Sequence, residues 1–321
     1  MATLPPAGLP LVPRQRLWRR LQAGAVVGFV VFLAAGMAAP ERVLPLFWSG
    51  VVPLLPVLFL LHPGLWRNVC PLATLGMGPD DGAPGAAERS LSRACLLLLV
   101  LLPLRPLGLE GSALASTGLL AAAGAGALLG RGRARKAGFC NTWCPVLPVE
   151  RLYGQRPLLS LENPRCPTCT LCTPRGCLDL SPRAASAQLL GPGRRSSAWL
   201  TSSLGAFAAA FPGVVLAFFL LPPDPGVARA YGQVALGGGV SWAVLAGAVA
   251  LGGVGWRLAF PTLGALAAGP YLWFALPGVA VAWGVPWAAA GLRYAGVALV
   301  AVWWTQALRQ TDEAPAPPGR P

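Results

Sequence analysis

Charged residues are scarce in this chain of 321 residues, and histidine occurs once. Charged side chains make up 11 % of the sequence, less than half of the roughly 25 % found in an ordinary soluble domain. So few charges cannot cover a surface that faces water, which excludes a soluble enzyme. The hydrophobic share of 55 % also excludes intrinsic disorder, because such a chain would collapse. The composition predicts an integral membrane protein.

Eight apolar runs are long enough to cross a bilayer, since about 20 helical residues span roughly 30 Å of hydrocarbon. The third run is the weakest, because Pro103, Arg105 and Pro106 interrupt it. The expected fold class is an all-α polytopic membrane protein with about eight transmembrane helices and a small cytoplasmic ferredoxin-like segment. The predicted spans are residues 21–39, 43–62, 92–109, 111–130, 199–221, 234–255, 259–284 and 288–308.

The 25 basic residues outnumber the 11 acidic ones, and their distribution explains the excess. With a cytoplasmic N-terminus, 21 of the 25 basic residues fall in inner segments, as the positive-inside rule predicts. The excess therefore reflects topology, and nucleic acid is not an expected partner. The expected location is the bacterial inner membrane, with both termini cytoplasmic and membrane lipid as a partner.

One long polar stretch, residues 131–198, divides the spans into two groups of four. This stretch faces the cytoplasm in the predicted topology, where a reducing environment disfavours structural disulfides. Clustered thiols there indicate metal ligands or redox groups. The predicted organisation is a cytoplasmic N-terminus (1–20), transmembrane helices 1–4 (21–130), the cytoplasmic 4Fe–4S segment (131–198), transmembrane helices 5–8 (199–308) and a disordered tail (309–321).

The strongest motif is the C-x2-C-x2-C run formed by Cys166, Cys169 and Cys172, with Cys177 after it. Two-residue spacers let successive thiolates converge on different irons of a [4Fe–4S] cube, whereas zinc sites normally separate their ligand pairs by a longer loop. A bacterial ferredoxin run continues with x3-C-P. Here the last spacing is four residues, and Leu178 replaces the proline. The run predicts an iron–sulfur site on Cys166, Cys169, Cys172 and a fourth thiolate.

A second motif, C-x3-C-P at Cys140–Pro145, follows the fourth span and matches the back half of a ferredoxin run. A weaker version follows the second span, where Cys70 precedes a proline and Trp66 stands in place of the first cysteine. Cys140, Cys144 and Cys70 are candidate metal ligands. The alternative for Cys140 and Cys144 is a pair of small, buried residues at a helix end, and the alternative for Cys70 is the relic of a lost pair. The two motifs suggest a degenerate internal repeat of residues 21–75 and 92–150.

The fourth ligand of the cube has two candidates. Cys177 is adjacent in sequence, whereas Cys144 is remote but carries the proline that follows the fourth cysteine of a ferredoxin run. Cys95 fits an apolar filler, although four thiols at one membrane depth could hold a second cluster. The single histidine, His62, is either an interfacial residue satisfied by water or headgroups, or a proton acceptor at a quinol site.

The hairpins that end in C-x3-C-P, followed by a ferredoxin-like run, resemble the membrane polyferredoxin family of NapH- and NosR-like proteins. The resemblance covers roughly residues 20–180 and rests on Cys140, Cys144, Cys70 and the run at 166–172. It implies a membrane-bound iron–sulfur protein that moves electrons between quinol, soluble carriers and a terminal redox partner. The chain departs from the family in having a single run, and in having lost one cysteine of the first C-x3-C-P.

The leading hypothesis is an electron-transfer protein with at least one [4Fe–4S] cluster, acting as a component of a redox chain rather than as a stand-alone catalyst. No catalytic residue is predicted. The alternative is a membrane assembly or regulatory factor whose thiols sense redox state or handle a metal. A zinc-stabilised structural protein is a third candidate, using the same cysteines without redox change.

Overall fold

The computed structural model describes residues 15–78, 87–131, 137–159 and 197–309, and most of these residues are helical. The helices are α1 (Gln15–Ala38), α2 (Pro40–Pro45), α3 (Leu54–Leu61), α4 (Pro63–Arg67), α5 (Pro71–Gly76), α6 (Ala87–Leu101), α7 (Ala113–Leu129), α8 (Gly138–Thr142), α9 (Leu147–Tyr153), α10 (Ser203–Phe219), α11 (Val227–Gly252), α12 (Trp256–Ala282) and α13 (Ala289–Arg309). Within the described ranges, the one β-type pairing is a bridge between Met77 and Ala137.

Six helical segments are long and apolar enough to cross a membrane, which confirms a multi-pass, all-helical membrane protein. Two further predicted spans form shorter apolar helices, α7 and α10, of 17 residues each. A helix of that length rises about 26 Å, at the lower limit for crossing a bilayer. The six long segments are Arg19–Ala38, Pro40–Leu61, Leu91–Leu109, Val227–Gly252, Trp256–Ala282 and Pro286–Arg309.

The second and third spans are interrupted. In the second, a π-helical turn at Leu46–Val51 separates α2 from α3. In the third, α6 gives way to a 3₁₀ turn at Leu102–Leu104 and a π-helical turn at Arg105–Leu109, where Gly108 adopts a positive φ of 104°. Proline removes a backbone donor and clashes with the preceding turn, so the predicted weakness of this span is confirmed as a break in the α-helix.

Several chain segments meet at one end of the bundle, which we call the thiol end because the described C-x3-C-P motif lies there. The backbone N–H of Leu158 donates to Leu60 O at 2.9 Å, next to the end of α3. The Leu158 carbonyl accepts from Gln306 Nε2 at 3.3 Å, near the end of α13. Arg156 donates to the carbonyl of Ala307. Residues 156–158 therefore tie the second span to the last one.

Helices α10 and α11 pack at very short range through glycine. A Cβ added at Gly213 would lie 2.1 Å from the carbonyl oxygen of Gly237. Ser241 Oγ crosses the same interface and donates to Ala209 O at 2.8 Å. Small residues allow this backbone approach between membrane helices, as expected from the glycines of α11.

The predicted ligands Cys166, Cys169, Cys172 and Cys177 lie outside the described residues, as do residues 1–14 and the tail from residue 310. The part of the 131–198 segment that the structure describes consists mainly of α8 and α9. Both of these short helices pack against the bundle: α8 contacts α5 and α6, and α9 contacts α3, α6 and α12. The candidate site is built from these elements.

Candidate functional site

Cys70 lies at the junction between α4 and α5, where it occupies the position before the first residue of α5. Its backbone N–H donates to Trp66 O at 2.8 Å, which closes the turn after α4. Pro71 is the first residue of α5, where a missing N–H costs nothing and the fixed φ suits a helix start. The Cys70 carbonyl then accepts from Thr74 Oγ1 at 3.1 Å. The Cys-Pro pair thus fixes the backbone of Cys70 at a helix N-terminus.

The second motif has a similar local structure. Cys140 is buried within α8, and Cys144 follows the end of that helix. The Cys144 N–H donates to Phe139 O at 3.1 Å, five residues back, whereas the Cys70 N–H donates to Trp66 O, four residues back. After Pro145 the chain turns into α9. Each motif therefore consists of a short helix, a closing turn and a Cys-Pro that leads to the next helix, which is the arrangement expected of a degenerate repeat.

The two motifs face each other across a small apolar cluster. The bridge between Met77 and Ala137 joins the segment after α5 to the residue before α8. Arg131 Nε donates to Met77 O at 2.8 Å and ties the end of α7 to the same place. The buried members of the cluster are Cys70, Ala73, Met77, Ala137 and Cys140, and the partly buried members packed against it are Trp66, Leu72, Phe139 and Cys144.

Three of the predicted ligands are thus brought together: Cys70, Cys140 and Cys144, which we call the thiol trio. All three are free thiols. They lie near enough that the charge of one raises the pKa of another. Within the described ranges, no group of three or more His, Cys, Asp or Glu side chains is spaced to hold one metal ion. The trio is therefore a thiol cluster whose sulfurs are not arranged as a finished metal site.

Cys95 belongs to the larger apolar core of the bundle, among residues of α3, α6, α10 and α12. This position agrees with the interpretation of Cys95 as an apolar filler. His62 is fully buried rather than interfacial, which differs from the expectation of a histidine satisfied by water or headgroups. Its Nδ1 accepts from Gly64 N at 3.0 Å, so the imidazole caps the start of α4.

A buried ion pair lies beside the thiol trio. Arg67 Nε in α4 is 2.6 Å from Glu150 Oε1 in α9, and the side chains are 6 % and 9 % exposed. Arg67 stands three residues before Cys70, and Glu150 stands six residues after Cys144. The pair therefore connects the two motifs directly. No pattern along the sequence indicates this pair, because tertiary packing brings Arg67 and Glu150 together.

Burial controls the protonation of the trio. Loss of solvent, reinforced by the charge of Cys70, raises the pKa of Cys144 from 9.0 to about 12. Burial, with the neighbouring thiols, raises the pKa of Cys140 well above its usual range, and burial also raises the pKa of Cys70. The Arg67 guanidinium acts in the opposite direction on all three thiols, but its effect is smaller. The metal-free trio is therefore neutral at pH 7.

The thiol trio fits a soft metal or an iron–sulfur cluster in chemical type, because thiolates are the ligands that such groups select. Metal binding would have to displace protons from these thiols, a usual feature of cysteine sites. Neither a protein-family model, nor a curated protein, nor a solved structure matches this chain significantly. Function must therefore be inferred from the residues of this chain.

Proposed function

We propose that this protein is a membrane-bound electron-transfer protein of the polyferredoxin type, with at least one [4Fe–4S] cluster held at the thiol end. It relays electrons between a quinol or soluble carrier and a redox partner protein, as a component of a redox chain rather than as a stand-alone catalyst. The observation that carries this proposal is the convergence of Cys70, Cys140 and Cys144 from two separate hairpins. Apolar packing alone would not require three cysteines there.

The described chain that leads to the C-x2-C-x2-C run ends at Leu159, which is attached to the second span. Leu159, the last described residue before the run, donates its N–H to Leu61 O at 2.9 Å and is thus attached to the end of α3. Cys166 is the seventh residue after Leu159, and an extended chain of that length reaches at most about 25 Å. The run is therefore within reach of the thiol end. A bound [4Fe–4S] cluster would supply one-electron chemistry there.

Cys144 is the member of the trio best suited to serve as the fourth ligand of the cube on Cys166, Cys169 and Cys172. It is more exposed than Cys70 and Cys140, which are both 8 % exposed. A thiol at the margin of the apolar cluster can meet ligands that arrive from the polar segment. This arrangement would leave Cys70, Cys140 and Cys177 for a second site. A run closed by Cys177 is the competing arrangement.

Regulation through reactive thiols is less consistent with the site. Redox-sensing cysteines are accessible and have a depressed pKa, because the thiolate is the reactive form. The trio is mostly buried, and burial raises the pKa of each thiol. These properties suit ligands that become thiolates only when a metal binds. Assembly or metal handling, and a structural zinc site, are separated from electron transfer by analysis of the bound metal.

The test of this function is anaerobic purification followed by iron, acid-labile sulfide and zinc analysis. The proposal predicts iron and sulfide in equal amounts, with about four of each per cluster. Replacement of Cys166, Cys169 or Cys172 by serine should remove this content while the protein still inserts, since insertion depends on hydrophobic spans. Cys95→Ser is the matched control and should retain the cluster. Zinc without sulfide, or unchanged iron in all three serine variants, would contradict the proposal.

The orientation that accompanies this function is eight spans in the bacterial inner membrane, with both termini and the 131–198 segment cytoplasmic. The support is the placement of 21 of 25 basic residues on that side. A reporter fused after residue 198 should be active only as a cytoplasmic enzyme. Activity confined to the periplasm would show that the iron–sulfur segment lies on the wrong side for a cytoplasmic donor.

A further inference from the structure

A groove of about 650 Å³ lies between α6, α10 and α11. Its volume falls in the range of small-molecule sites, about 300–1,000 Å³. Its floor is apolar and buried, formed mainly by Cys95, Phe207, Phe211, Val214 and Val234. Its rim is exposed, and the rim residues on α6 and α11 are Val100, Ala235, Gly239 and Trp242. Because its floor is buried and its rim is exposed, the groove opens between α6 and α11 at the surface of the bundle.

The groove ends in polar groups at the thiol end. Ser92, near the start of α6, and Ser203, the first residue of α10, line this end, and their hydroxyl oxygens are 2.5 Å apart. The next residue, Arg93, is exposed, and its guanidinium carbon lies 5.2 Å from the ring centre of Trp143. Arginine and tryptophan together are typical of a membrane–water interface. One cationic and two hydroxyl side chains thus stand where the apolar groove meets the headgroup region.

Hydrocarbon is the natural content of such a groove. Its side opening lies on helices that are long and apolar enough to span the membrane, so it faces the acyl chains of the bilayer. We propose that this groove binds one acyl chain of an anionic phospholipid, whose phosphate contacts Arg93 beside the Ser92–Ser203 pair. The Ser92 and Ser203 hydroxyls are hydrogen-bonded to each other, so the phosphate contact rests on the exposed Arg93, which supplies the opposite charge. Basic sites between membrane helices bind anionic headgroups in this way.

The occupied groove would brace the site described above. Phe211, on the groove floor, packs against Tyr153 of α9 with ring centres 6.4 Å apart. Helix α9 also carries Glu150, the partner of Arg67. A lipid chain against Phe211 therefore supports the helix that holds the buried ion pair in place. The proposal does not depend on iron, because the groove is defined by packing and charge alone.

A larger side chain at Gly239, on the rim, would block the groove. A Cβ added at this rim position meets no atom within 4 Å, so Gly239→Phe starts its side chain in open space. Gly232 lies on the same helix, is equally unobstructed and does not line the groove, so Gly232→Phe is the matched control. Gly239→Leu serves as a smaller second blocking variant. Arg93→Gln tests the headgroup contact separately.

The experiment reconstitutes the full chain into bilayers of phosphatidylcholine, phosphatidylglycerol and a quinone, then measures retained lipid by native mass spectrometry. Wild type and Gly232→Phe should each retain one phosphatidylglycerol, and both Gly239 variants should lose it. Arg93→Gln should retain about fivefold less, the effect of one basic residue near a membrane surface. Equal retention by the Gly239 and Gly232 variants, no bound lipid, phosphatidylcholine as the bound lipid, or quinone in its place would each overturn the proposal. None of these results bears on iron content.

Discussion

The two halves of the molecule differ in what they bury. All ten of the buried polar or charged side chains within the described residues belong to positions 15–159, and these include Arg67, Glu150, Arg151 and Arg156. Residues 197–309 bury apolar side chains, and their helices α11 and α12 are 26 and 27 residues long. The first half contains the interrupted spans, the short helices and the thiol trio.

This difference indicates a division of labour. Buried polar groups are costly in a membrane protein and usually mark function. In this protein the buried polar groups lie in the first half, mainly around the Cys-Pro motifs. The second half is held by close helix packing and by aromatic contacts such as the stacked rings of Phe219 and Phe274. We interpret it as the scaffold against which α9 rests, since α9 contacts both α10 and α12.

The scaffold should be the more sensitive half to a change in size. Gly213→Leu forces a side chain against the Gly237 carbonyl, which would lie 2.1 Å from the new Cβ. Backbone cannot move aside as a side chain can, so we expect loss of the monodisperse protein in detergent. Size-exclusion chromatography measures this loss. Gly232→Leu on α11 is the control and should elute like wild type, because no atom lies within 4 Å of that position.

The first half should be more sensitive to a change in charge. Glu150→Gln leaves the Arg67 charge buried without its partner, at a cost of about 3–5 kcal/mol in unfolding free energy. Thermal unfolding in detergent should show a large decrease in Tm. The double variant R67M/E150L should recover most of this loss, because apolar residues of similar size are tolerated in place of a buried pair. A double variant as unstable as the single one would show that the ion pair does not cause the effect.

The two hairpins of the first half can also be made more alike. Trp66 packs against the thiol cluster at the position that a cysteine occupies in the second motif. Trp66→Cys would place a fourth thiol beside the trio and should increase bound zinc or iron by about one equivalent of metal. Trp66→Ser removes the same indole without adding a thiol. Equal metal content in the two variants would mean that the first motif no longer faces the second closely enough to share a ligand set.

The smallest effect concerns pH. A buried thiol with a raised pKa stabilises the fold while it is neutral. Its contribution is therefore complete below about pH 9 and is lost as the pH rises toward about 12, the folded-state pKa of Cys144. The Tm of the metal-free protein should fall between about pH 8 and about pH 11, and Cys144→Ser should show a shallower fall. Cys95→Ser should behave like wild type, and a slope unchanged by loss of the Cys144 thiol would contradict the assignment.

Much of the architecture could be predicted because it depends on local composition. Apolar runs of about 20 residues predicted the membrane helices. Pro103, Arg105 and Pro106 predicted the break in the α-helix after Leu101. The meeting of Cys70 with Cys140 and Cys144 was within reach because it follows from the register of two similar hairpins. The Arg67–Glu150 pair was not, since it joins residues far apart in sequence through the packing of α4 and α9. The burial of His62 likewise depends on tertiary packing, and its capping role needs the turn that starts α4.

The central claim is that this chain holds an iron–sulfur cluster that exchanges electrons. The most direct test is a potentiometric titration of the anaerobically purified protein, followed by electron paramagnetic resonance. We expect a paramagnetic signal that appears reversibly in a one-electron step, disappears in Cys166→Ser and persists in Cys95→Ser. A protein that contains zinc and gives no reversible signal at any potential would contradict the claim.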